Sequence, residues 1–358
     1  MFGPASYLFI RIRNIYAAHP KVACPAAPGR INNSFTAPLS VPGVAGGDVR
    51  LAFGLCVFAG RDGRMYKFSQ AAAAATGGIG GVSARSVLPP GYSMDCEFAQ
   101  LSDLGRVRQG NEDYLGHFAP TTAEEARTRG YLFAVADGVG GQDLGEVASH
   151  TAIETLLSGF RQAPANEPHG ALLTRLIRAA NTNVIDAGHA ATRGGSKMAT
   201  TIVACALRYD RVTVAHVGDS RCYLIRRGQP NLLTRDHTVA NEHVRLKLLS
   251  KEEASYAETR HMLSRSLGNE LMVNVEVNEH QVFAGDVLLL CSDGLHGSVK
   301  ASEMAALTSH GGDLATAAKR LVDLANQRDG GDNITLQLIR VRSVERVGMY
   351  RGRPYRLP

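Results

Sequence analysis

The chain has 358 residues, 44% of them apolar and 20% charged, which is typical of a globular protein with one large domain or two small ones. The formal net charge of +6 would favour an acidic partner such as nucleic acid only if it were spread over the chain. Residues 1–93 hold nine Lys or Arg residues against two acidic ones, and the remainder is close to neutral, which excludes a basic nucleic-acid-binding body.

The cysteine and hydropathy patterns indicate the cellular compartment of the protein. The six cysteines form no CxxC pair, so neither a disulfide framework nor a zinc site is expected, and those in apolar runs are interpreted as buried thiols. No apolar run approaches the ~18 residues of a membrane span. The apolar stretch at 6–18 is interrupted by Arg11 and Arg13 and lacks the order of a signal peptide. These features predict a cytoplasmic protein.

The first predicted segment is an N-terminal extension, residues 1–93. It contains scattered Pro and Gly, an alanine run at 71–75 and the stretch GGIGG at 77–81, and it is interpreted as linker or disorder. Two hypotheses account for it. In the favoured one, translation starts at Met94 and the upstream sequence is an over-extended reading frame; in the other, a real basic arm recruits an acidic partner.

A catalytic domain is predicted over residues 94–341, followed by a basic tail at 342–358. Apolar and β-branched runs predict strands at 131–136, 200–207, 211–218, 221–228, 286–292 and 333–341. Apolar residues at three- and four-residue intervals predict helices at 145–160, 171–191 and 313–328. The run at 204–225 reads as consecutive hairpins, which require antiparallel pairing. The pattern favours an α+β layered sandwich.

Carboxylates recur at the ends of these strands. LFAVADGVGG (132–141) and VLLLCSDGL (287–295) each place an Asp after an apolar strand, and GGDNITLQLI (330–339) places one before a strand. Converging carboxylates repel each other unless a cation neutralises them. The candidates are Glu112, Asp113, Asp137, Asp219, Asp293 and Asp332. All-oxygen ligation favours magnesium or manganese over zinc or copper.

Eight ordered motifs carry a family resemblance. They are RQGNED (108–113), ADGVGGQDLGEVAS (136–149), MATT (198–201), HVGDSRCYLI (216–225), RDHT (235–238), RSLG (265–268), SDGL (292–295) and GGDNIT (330–335). In this order and spacing, the chain resembles the metal-dependent protein phosphatases of type 2C, the PPM family, and most of all their compact bacterial branch. The resemblance covers about residues 97–341 and implies a four-layer α-β-β-α sandwich, with two antiparallel sheets flanked by helices.

The resemblance also implies roles for individual residues. Asp137 matches the aspartate that bridges two metals, and the carbonyl of Gly138 matches a ligand of one of them. Glu112 matches the acid of the second metal, whereas Asp293 and Asp332 match ligands of the first. The remaining matches are Asp113, which holds metal-bound water, Arg108, which grips the substrate phosphate, and Asp219, which with Asp293 holds a weaker third metal.

The implied activity is a protein serine/threonine phosphatase that uses two Mn²⁺ or Mg²⁺ ions, and a weaker third in some members. Water activated by the metals attacks the phosphorus of phosphoserine or phosphothreonine in line. The implied partners are phosphoproteins, among them a Ser/Thr kinase, with no nucleic acid, no membrane span and a monomeric enzyme. Residues 239–262 correspond to a mobile flap next to the active site that tunes substrate choice.

Three positions depart from the family pattern. Bacterial relatives often carry His where this chain has Gln142, and animal relatives carry His where it has Val139. A histidine general acid is absent at both places, so proton delivery by metal-bound water is expected. Ala199 replaces the usual Gly before Thr-Thr, and its extra methyl is expected to be tolerated.

Three alternative functions are compatible with parts of the pattern. A two-metal nuclease would use similar carboxylates but should carry a basic surface, and residues 94–341 hold 25 basic against 30 acidic residues. A non-catalytic module on the same fold would have lost metal ligands, yet every matched ligand is present. A phosphatase of small phosphoesters stays open, and comparison of a phosphopeptide with a phosphorylated metabolite would separate it from a phosphoprotein phosphatase.

Overall fold

The computed structural model describes residues 94–139, 144–191, 198–309 and 312–350, together with short strands outside these ranges. The chain divides into two compact units, Met1–Gly78 and Ile79–Pro358. In the first, strands β1 (Phe35–Thr36), β2 (Ala52–Ala59) and β3 (Met65–Ala72) form an antiparallel sheet in that order. The predicted linker or disorder over 1–93 otherwise falls outside the described residues, apart from β4 (Val82–Arg85) in the second unit.

Two antiparallel sheets form the second unit. The first contains β6 (Asp113–Phe118), β7 (Tyr131–Val139), β8 (Ala199–Thr200), β9 (Ile202–Arg208), β10 (Arg211–Val217) and β13 (Glu276–Gln281). Its order is β13-β10-β9-β7-β6, and β8 pairs with the end of β7. The second contains β4, β5 (Asp95–Asp103), β11 (Arg221–Arg226), β12 (Gln229–Leu232), β14 (Val287–Cys291) and β15 (Ile334–Ser343). Its order is β12-β11-β14-β15-β5-β4, and a separate hairpin pairs β16 (Val347–Tyr350) with β17 (Arg353–Arg356).

Helices lie outside both sheets. They are α1 (Ala123–Thr128), α2 (Leu144–Gln162), α3 (His169–Ala191), α4 (Val239–Arg245), α5 (Lys251–Tyr256), α6 (Asp293–His296), α7 (Ala301–Ser309) and α8 (Leu314–Arg328), with a 3₁₀ turn at Glu258–His261. The apolar residues of α2 and α3 pack with the first sheet, and those of α7 and α8 pack with the second.

The side-chain alternation of the strands explains the layers, because successive residues of a strand point to opposite faces. On β7, Leu132 and Ala134 join the cluster beneath α2 and α3, whereas Phe133 and Val135 join Ile339 of the second sheet in the cluster between the sheets. A strand buried on both faces is apolar throughout, as these are. The result is a four-layer α-β-β-α sandwich, which confirms the predicted fold class.

The described part of the chain also bears on the cysteine and membrane predictions. Cys205, Cys222 and Cys291, which lie in apolar runs, are free and buried as the sequence predicted, and Cys96 is also free and buried. None of the described helices combines the length and apolar character needed to cross a membrane.

Candidate metal centre

Two carboxylates face each other across the first sheet. Asp113 begins β6 and Asp137 lies near the end of β7, and they are direct partners in the antiparallel register. Directly opposed residues have Cβ atoms about 4.5–5.5 Å apart, where like charges destabilise the pair. A proton or a cation is therefore required between these two side chains.

The second sheet brings two further acids to the same place. Asp293 follows β14 and Asp332 precedes β15. Between the sheets, the Ser292 hydroxyl donates a hydrogen bond of 2.7 Å to Oδ2 of Asp113. The carboxyl groups of Asp293 and Asp137 lie within hydrogen-bonding reach of each other. The ends of four strands thus converge on one cluster.

Glu112 is held from both sides. Its carbonyl oxygen accepts hydrogen bonds from the Gly138 amide at 3.1 Å and from the Ser149 hydroxyl at 2.6 Å. Its carboxylate lies over Gly145 at the start of α2, where a Cβ would come within 2.8 Å of the carboxyl carbon of Glu112. Glycine at 145 therefore leaves the space that the carboxylate occupies.

Asn333 fixes the loop that carries Glu112 and Arg108. Its Oδ1 accepts a 2.9 Å hydrogen bond from the Glu112 amide. Its Nδ2 donates to the carbonyl oxygens of Leu104 at 2.9 Å and Gly110 at 3.1 Å. One buried side chain thus ties the start of β15 to both ends of the 104–112 loop.

Arg108 lies at the exposed side of the cluster. Its guanidinium donates a 2.8 Å hydrogen bond to Oδ2 of Asp332, and this bond raises the pKa of Arg108. The arginine side chain is still 44% exposed. A phosphate approaching from solvent can therefore reach its remaining N–H donors, which suit a planar, charge-assisted contact.

The turn that carries Asp219 is held by hydrogen bonds to His237 and His296. Gly218 has φ of 109°, which favours glycine, and a Cβ there would come within 2.6 Å of the Thr201 side chain. The Gly218 amide donates to Nδ1 of His237 at 3.1 Å, and the His237 amide donates to the Gly218 carbonyl at 3.0 Å. A ring nitrogen of His296 lies 3.0 Å from the carbonyl oxygen of Asp219.

Burial, together with repulsion between neighbouring acids, shifts the pKa values of these carboxyl groups upward. Burial, opposed by hydrogen bonds from Ser292 and Thr335, raises the pKa of Asp113 to about 7. Burial and repulsion from Asp293 raise the pKa of Asp219 to about 7. Burial, followed by repulsion from Asp113 and Asp293, raises the pKa of Asp137 well above its ordinary value.

This donor set fits hard divalent cations. The cluster offers several carboxylates from rigid strand ends with only oxygen atoms directed into it, and oxygen-only ligation suits magnesium, manganese or calcium. A divalent cation replaces the protons that buried, mutually repelling acids would otherwise retain.

The structure brings together all the residues that the sequence singled out. These are Arg108, Glu112, Asp113, Asp137, Gly138, Asp219, Asp293 and Asp332. Sequence reasoning assigned no role to Ser292, Asn333 or Thr201, although each lies inside a quoted motif. Thr201 accepts a 3.0 Å hydrogen bond from the Asp137 amide. Their positions in the sequence could have identified them. Ser292 and Asn333 each stand directly beside a strand-end aspartate, and Thr201 belongs to a Thr-Thr pair.

The departures from the family pattern can be placed in part. Val139 is 40% exposed at the end of β7 and pairs with Ala199 on β8. The Ala199 methyl is buried in this short pairing without interrupting it, as expected. Gln142 lies outside the described residues.

A second cluster, formed by His216, His237 and Glu276, is not a metal site. The two imidazole rings stack with centroids 4.7 Å apart and planes 12° from parallel, whereas one ion would have to lie in the plane of both rings. Nδ1 of His237 already accepts from Gly218, and Glu276 accepts a 2.9 Å hydrogen bond from Arg235. The cluster is a hydrogen-bonded support beneath the Asp219 turn, and His216 is fully buried in it.

The predicted flap, residues 239–262, contains α4, α5 and the 3₁₀ turn. Its two ends are joined, because Thr238 forms a bridge with Leu263 and the Val239 amide donates a 2.8 Å hydrogen bond to the Met262 carbonyl. Leu248 and Tyr256 are exposed on it. The flap thus leaves and rejoins the domain at one hydrogen-bonded point, and it exposes apolar side chains to solvent.

Comparison with known proteins identifies the same region. Residues 99–334 match the family described as Protein phosphatase 2C. The serine/threonine phosphatase stp of Listeria innocua is 34% identical over 263 residues, which are 73% of this chain and 99% of the relative.

Solved structures agree with this match. The Mycobacterium tuberculosis serine/threonine phosphatase PstP/Ppp is 32% identical with a TM-score of 0.61, and the alignment covers 69% of this chain and 99% of that one. A structure of the PstP catalytic domain in complex with two manganese ions is 33% identical with a TM-score of 0.59, covering 70% of this chain and 100% of that one.

Proposed function

The chain belongs to the protein phosphatase 2C family and is a metal-dependent protein serine/threonine phosphatase, and we propose that its strand-end carboxylates hold two Mn²⁺ or Mg²⁺ ions. The observation that carries the proposal is the register pair Asp113 and Asp137, joined to the second sheet through Ser292. This arrangement concentrates negative charge where oxygen ligands from both sheets meet.

We assign the ligands as follows. Glu112 and the Gly138 carbonyl would hold one ion, Asp293 and Asp332 would hold the other, and Asp137 would serve both. Two contacts support this assignment. The Gly138 amide donates a hydrogen bond to the Glu112 carbonyl, and the carboxyl group of Asp293 lies close to that of Asp137. Asp219, whose pKa is raised by burial and by repulsion from Asp293, would share a weaker third ion with it.

The protein residues have separate tasks in the reaction. When bound, the ions lower the pKa of a water molecule so that it can attack phosphorus near neutral pH. Asp113, whose Oδ2 accepts a hydrogen bond from the Ser292 hydroxyl, would accept a further hydrogen bond from a metal-bound water. Arg108 binds the phosphoryl oxygens and balances the charge that spreads over them in the transition state.

The wider setting of the enzyme is also a proposal. We infer a monomeric cytoplasmic enzyme whose phosphoprotein substrates include a Ser/Thr kinase. Four free, buried cysteines among the described residues support a reducing compartment. The choice of substrate is attributed to the flap and its exposed apolar residues.

The test is a hydrolysis assay with phosphoserine and phosphothreonine peptides in manganese, magnesium or EDTA. We expect turnover with either metal and none with the chelator, because the carboxylates alone cannot activate water. Undiminished turnover in excess EDTA would contradict the metal proposal. Rapid hydrolysis of phosphorylated metabolites, with peptides left intact, would instead indicate a small-phosphoester phosphatase.

A further inference from the structure

The short turn around Asp219 is the connection between the two sheets. β10 ends at Val217 in the first sheet, β11 begins at Arg221 in the second, and residues 218–220 join them. Asp219 is buried in this turn. A carboxylate on a connection keeps a fixed place relative to the strand-end carboxylate Asp137 only where other contacts hold the turn.

Thr201 holds the backbone of Asp137. It lies between β8 and β9 in the sequence, and its amide donates a 2.8 Å hydrogen bond to the Asp137 carbonyl. Its hydroxyl accepts a 3.0 Å hydrogen bond from the Asp137 amide. Both backbone polar groups of the central aspartate are therefore bonded to this one threonine.

The same threonine contacts the Asp219 turn on both sides of the aspartate. After Asp219, the Ser220 hydroxyl lies 2.7 Å from the Thr201 hydroxyl, and either group can be the donor. Before Asp219, a Cβ at Gly218 would come within 2.6 Å of Cβ and Cγ2 of Thr201, so the glycine backbone packs directly on this side chain. Thr201 thus joins the segment that carries Asp137 to the segment that carries Asp219.

Burial makes the hydroxyl contact between Thr201 and Ser220 important. Each residue is only 1% exposed, so solvent does not supply a substitute partner. A buried polar group that loses its partner costs about 1–3 kcal/mol. Without the Thr201 hydroxyl, the Asp137 amide and the Ser220 hydroxyl would both lose a partner, and the two segments could find new ones only by moving.

We propose that Thr201 is a positioning residue, whose hydroxyl fixes the Asp137 strand end and the Asp219 turn relative to each other so that both carboxylates reach the bound ions. The inference deepens the proposed function and rests on it, because it assumes that these carboxylates hold metal. Thr201 is not itself a ligand in this proposal, since its oxygen already contacts the Asp137 amide and the Ser220 hydroxyl.

The test separates the hydroxyl of Thr201 from the packing of its side chain. Thr201→Val keeps the shape and loses the hydroxyl, whereas Thr201→Ser keeps the hydroxyl and loses a methyl group. We expect Thr201→Val to weaken Mn²⁺ binding in calorimetry by about 10- to 100-fold, as for other groups that orient a metal ligand. Thr201→Ser should bind Mn²⁺ within about threefold of the wild type, because both hydrogen bonds remain.

A second variant, Ser220→Ala, removes only the contact with the turn. Thr201 still accepts the hydrogen bond from the Asp137 amide in this protein. We therefore expect the weakest Mn²⁺ binding step to lose about 10-fold in affinity, with the tighter steps within about threefold of the wild type. Urea denaturation of the metal-free proteins measures the stability of every variant separately from its metal affinity.

The control is Thr308→Val on α7, which removes a buried hydroxyl that donates a 2.8 Å hydrogen bond to the Met304 carbonyl. It should lower the free energy of unfolding and leave Mn²⁺ affinity unchanged. Wild-type Mn²⁺ affinity in Thr201→Val, or equal losses in Thr201→Val and Thr201→Ser, would overturn the role of the hydroxyl.

The remaining outcomes are also decisive. If Thr201→Val fails to fold, unchanged affinity at every Mn²⁺ step in Ser220→Ala overturns the proposal, and a loss confined to the weakest step supports it. A wild-type protein that binds no Mn²⁺ and leaves phosphopeptides intact would instead refute the proposed function itself.

Discussion

At the residue scale, the site separates charges that bind metal from charges that bind phosphate. Asp137 lies inside the cluster opposite Asp113, whereas Arg108 lies at its exposed edge and contacts Asp332. An acid in the centre is surrounded by other acids and needs a cation. An arginine at the rim is free to exchange its carboxylate partner for a phosphoryl oxygen.

Substitutions at Asp137 and Arg108 should therefore impair the enzyme in different ways. Asp137→Asn should abolish turnover and Mn²⁺ binding, because one amide cannot replace a charged ligand between two ions. Arg108→Ala should keep Mn²⁺ binding and lose about 2 to 4 kcal/mol of transition-state stabilisation in kcat/KM. Isothermal calorimetry and phosphopeptide kinetics measure the two effects separately.

A matched control for Asp137→Asn is Asp323→Asn, which alters an exposed acid of α8 that is paired with Lys319. It should change neither metal binding nor turnover, because surface ion pairs contribute little. Loss of manganese in Arg108→Ala, together with its retention in Asp137→Asn, would reverse the assigned roles.

At the scale of elements, the start of α2 shapes the metal cluster through a glycine. Gly145 lies directly beneath the Glu112 carboxylate, and Gly159 on the same helix lies against Leu176 of α3. The two glycines meet different neighbours, one in the proposed site and one in the core. Adding one methyl at each position therefore separates a site effect from a packing effect.

Gly145→Ala should weaken Mn²⁺ binding roughly 10- to 100-fold, because displacing a ligand from its supporting contact has effects of that size. Gly159→Ala should leave metal affinity intact and lower the free energy of unfolding by about 1 to 3 kcal/mol through overpacking. Calorimetry and urea denaturation distinguish the outcomes. Equal metal affinity in the two variants would show that Gly145 does not position Glu112.

How far the sequence predicts the elements depends on burial. The strands β7, β14 and β15 are buried on both faces, so their apolar runs identify them and their ends place Asp137, Asp293 and Asp332. The strand β13 has the sequence EVNEHQ and lies at a sheet edge, and its polar residues give no strand pattern. Edge strands are paired on one side only, so local sequence specifies them weakly.

Prediction of the site from the sequence is also incomplete. The motif resemblance located the carboxylates, because each stands next to a recognisable strand end. The support from Asn333 to Leu104 spans 229 residues of sequence, and that from Ser292 to Asp113 spans 179. These contacts arise from the pairing of distant strands, which periodicity does not encode.

At the scale of the whole molecule, the metal cluster lies where the two sheets meet, so ligands from both should be joined by the ions. Binding to the folded state alone stabilises it, by about 2.7 kcal/mol when the free ion is at 100 times its dissociation constant. Thermal unfolding should therefore shift to higher temperature as Mn²⁺ is added.

Asp137→Asn should show no such shift, because it removes the residue placed between the ions. The exposed Asp323→Asn variant should shift as the wild type does. A manganese-dependent rise that persists in Asp137→Asn would indicate that the stabilising ion binds elsewhere.

The last prediction concerns the residues before Met94, which contain none of the site residues. Within the unit Ile79–Pro358, β4 adds an outer strand to β5, and β5 keeps its pairing with the buried β15 on its other side. A protein spanning 94–358 should therefore fold and retain phosphopeptide turnover within about twofold of the full chain, since removal of an edge strand leaves the catalytic strand ends paired. The matched comparison is a protein spanning 79–358, which retains β4. Circular dichroism and peptide kinetics on the three proteins provide the measurement. If 94–358 is unfolded while 79–358 is active, β4 belongs to the catalytic domain; if both are inactive and the full chain is active, the upstream residues take part in catalysis.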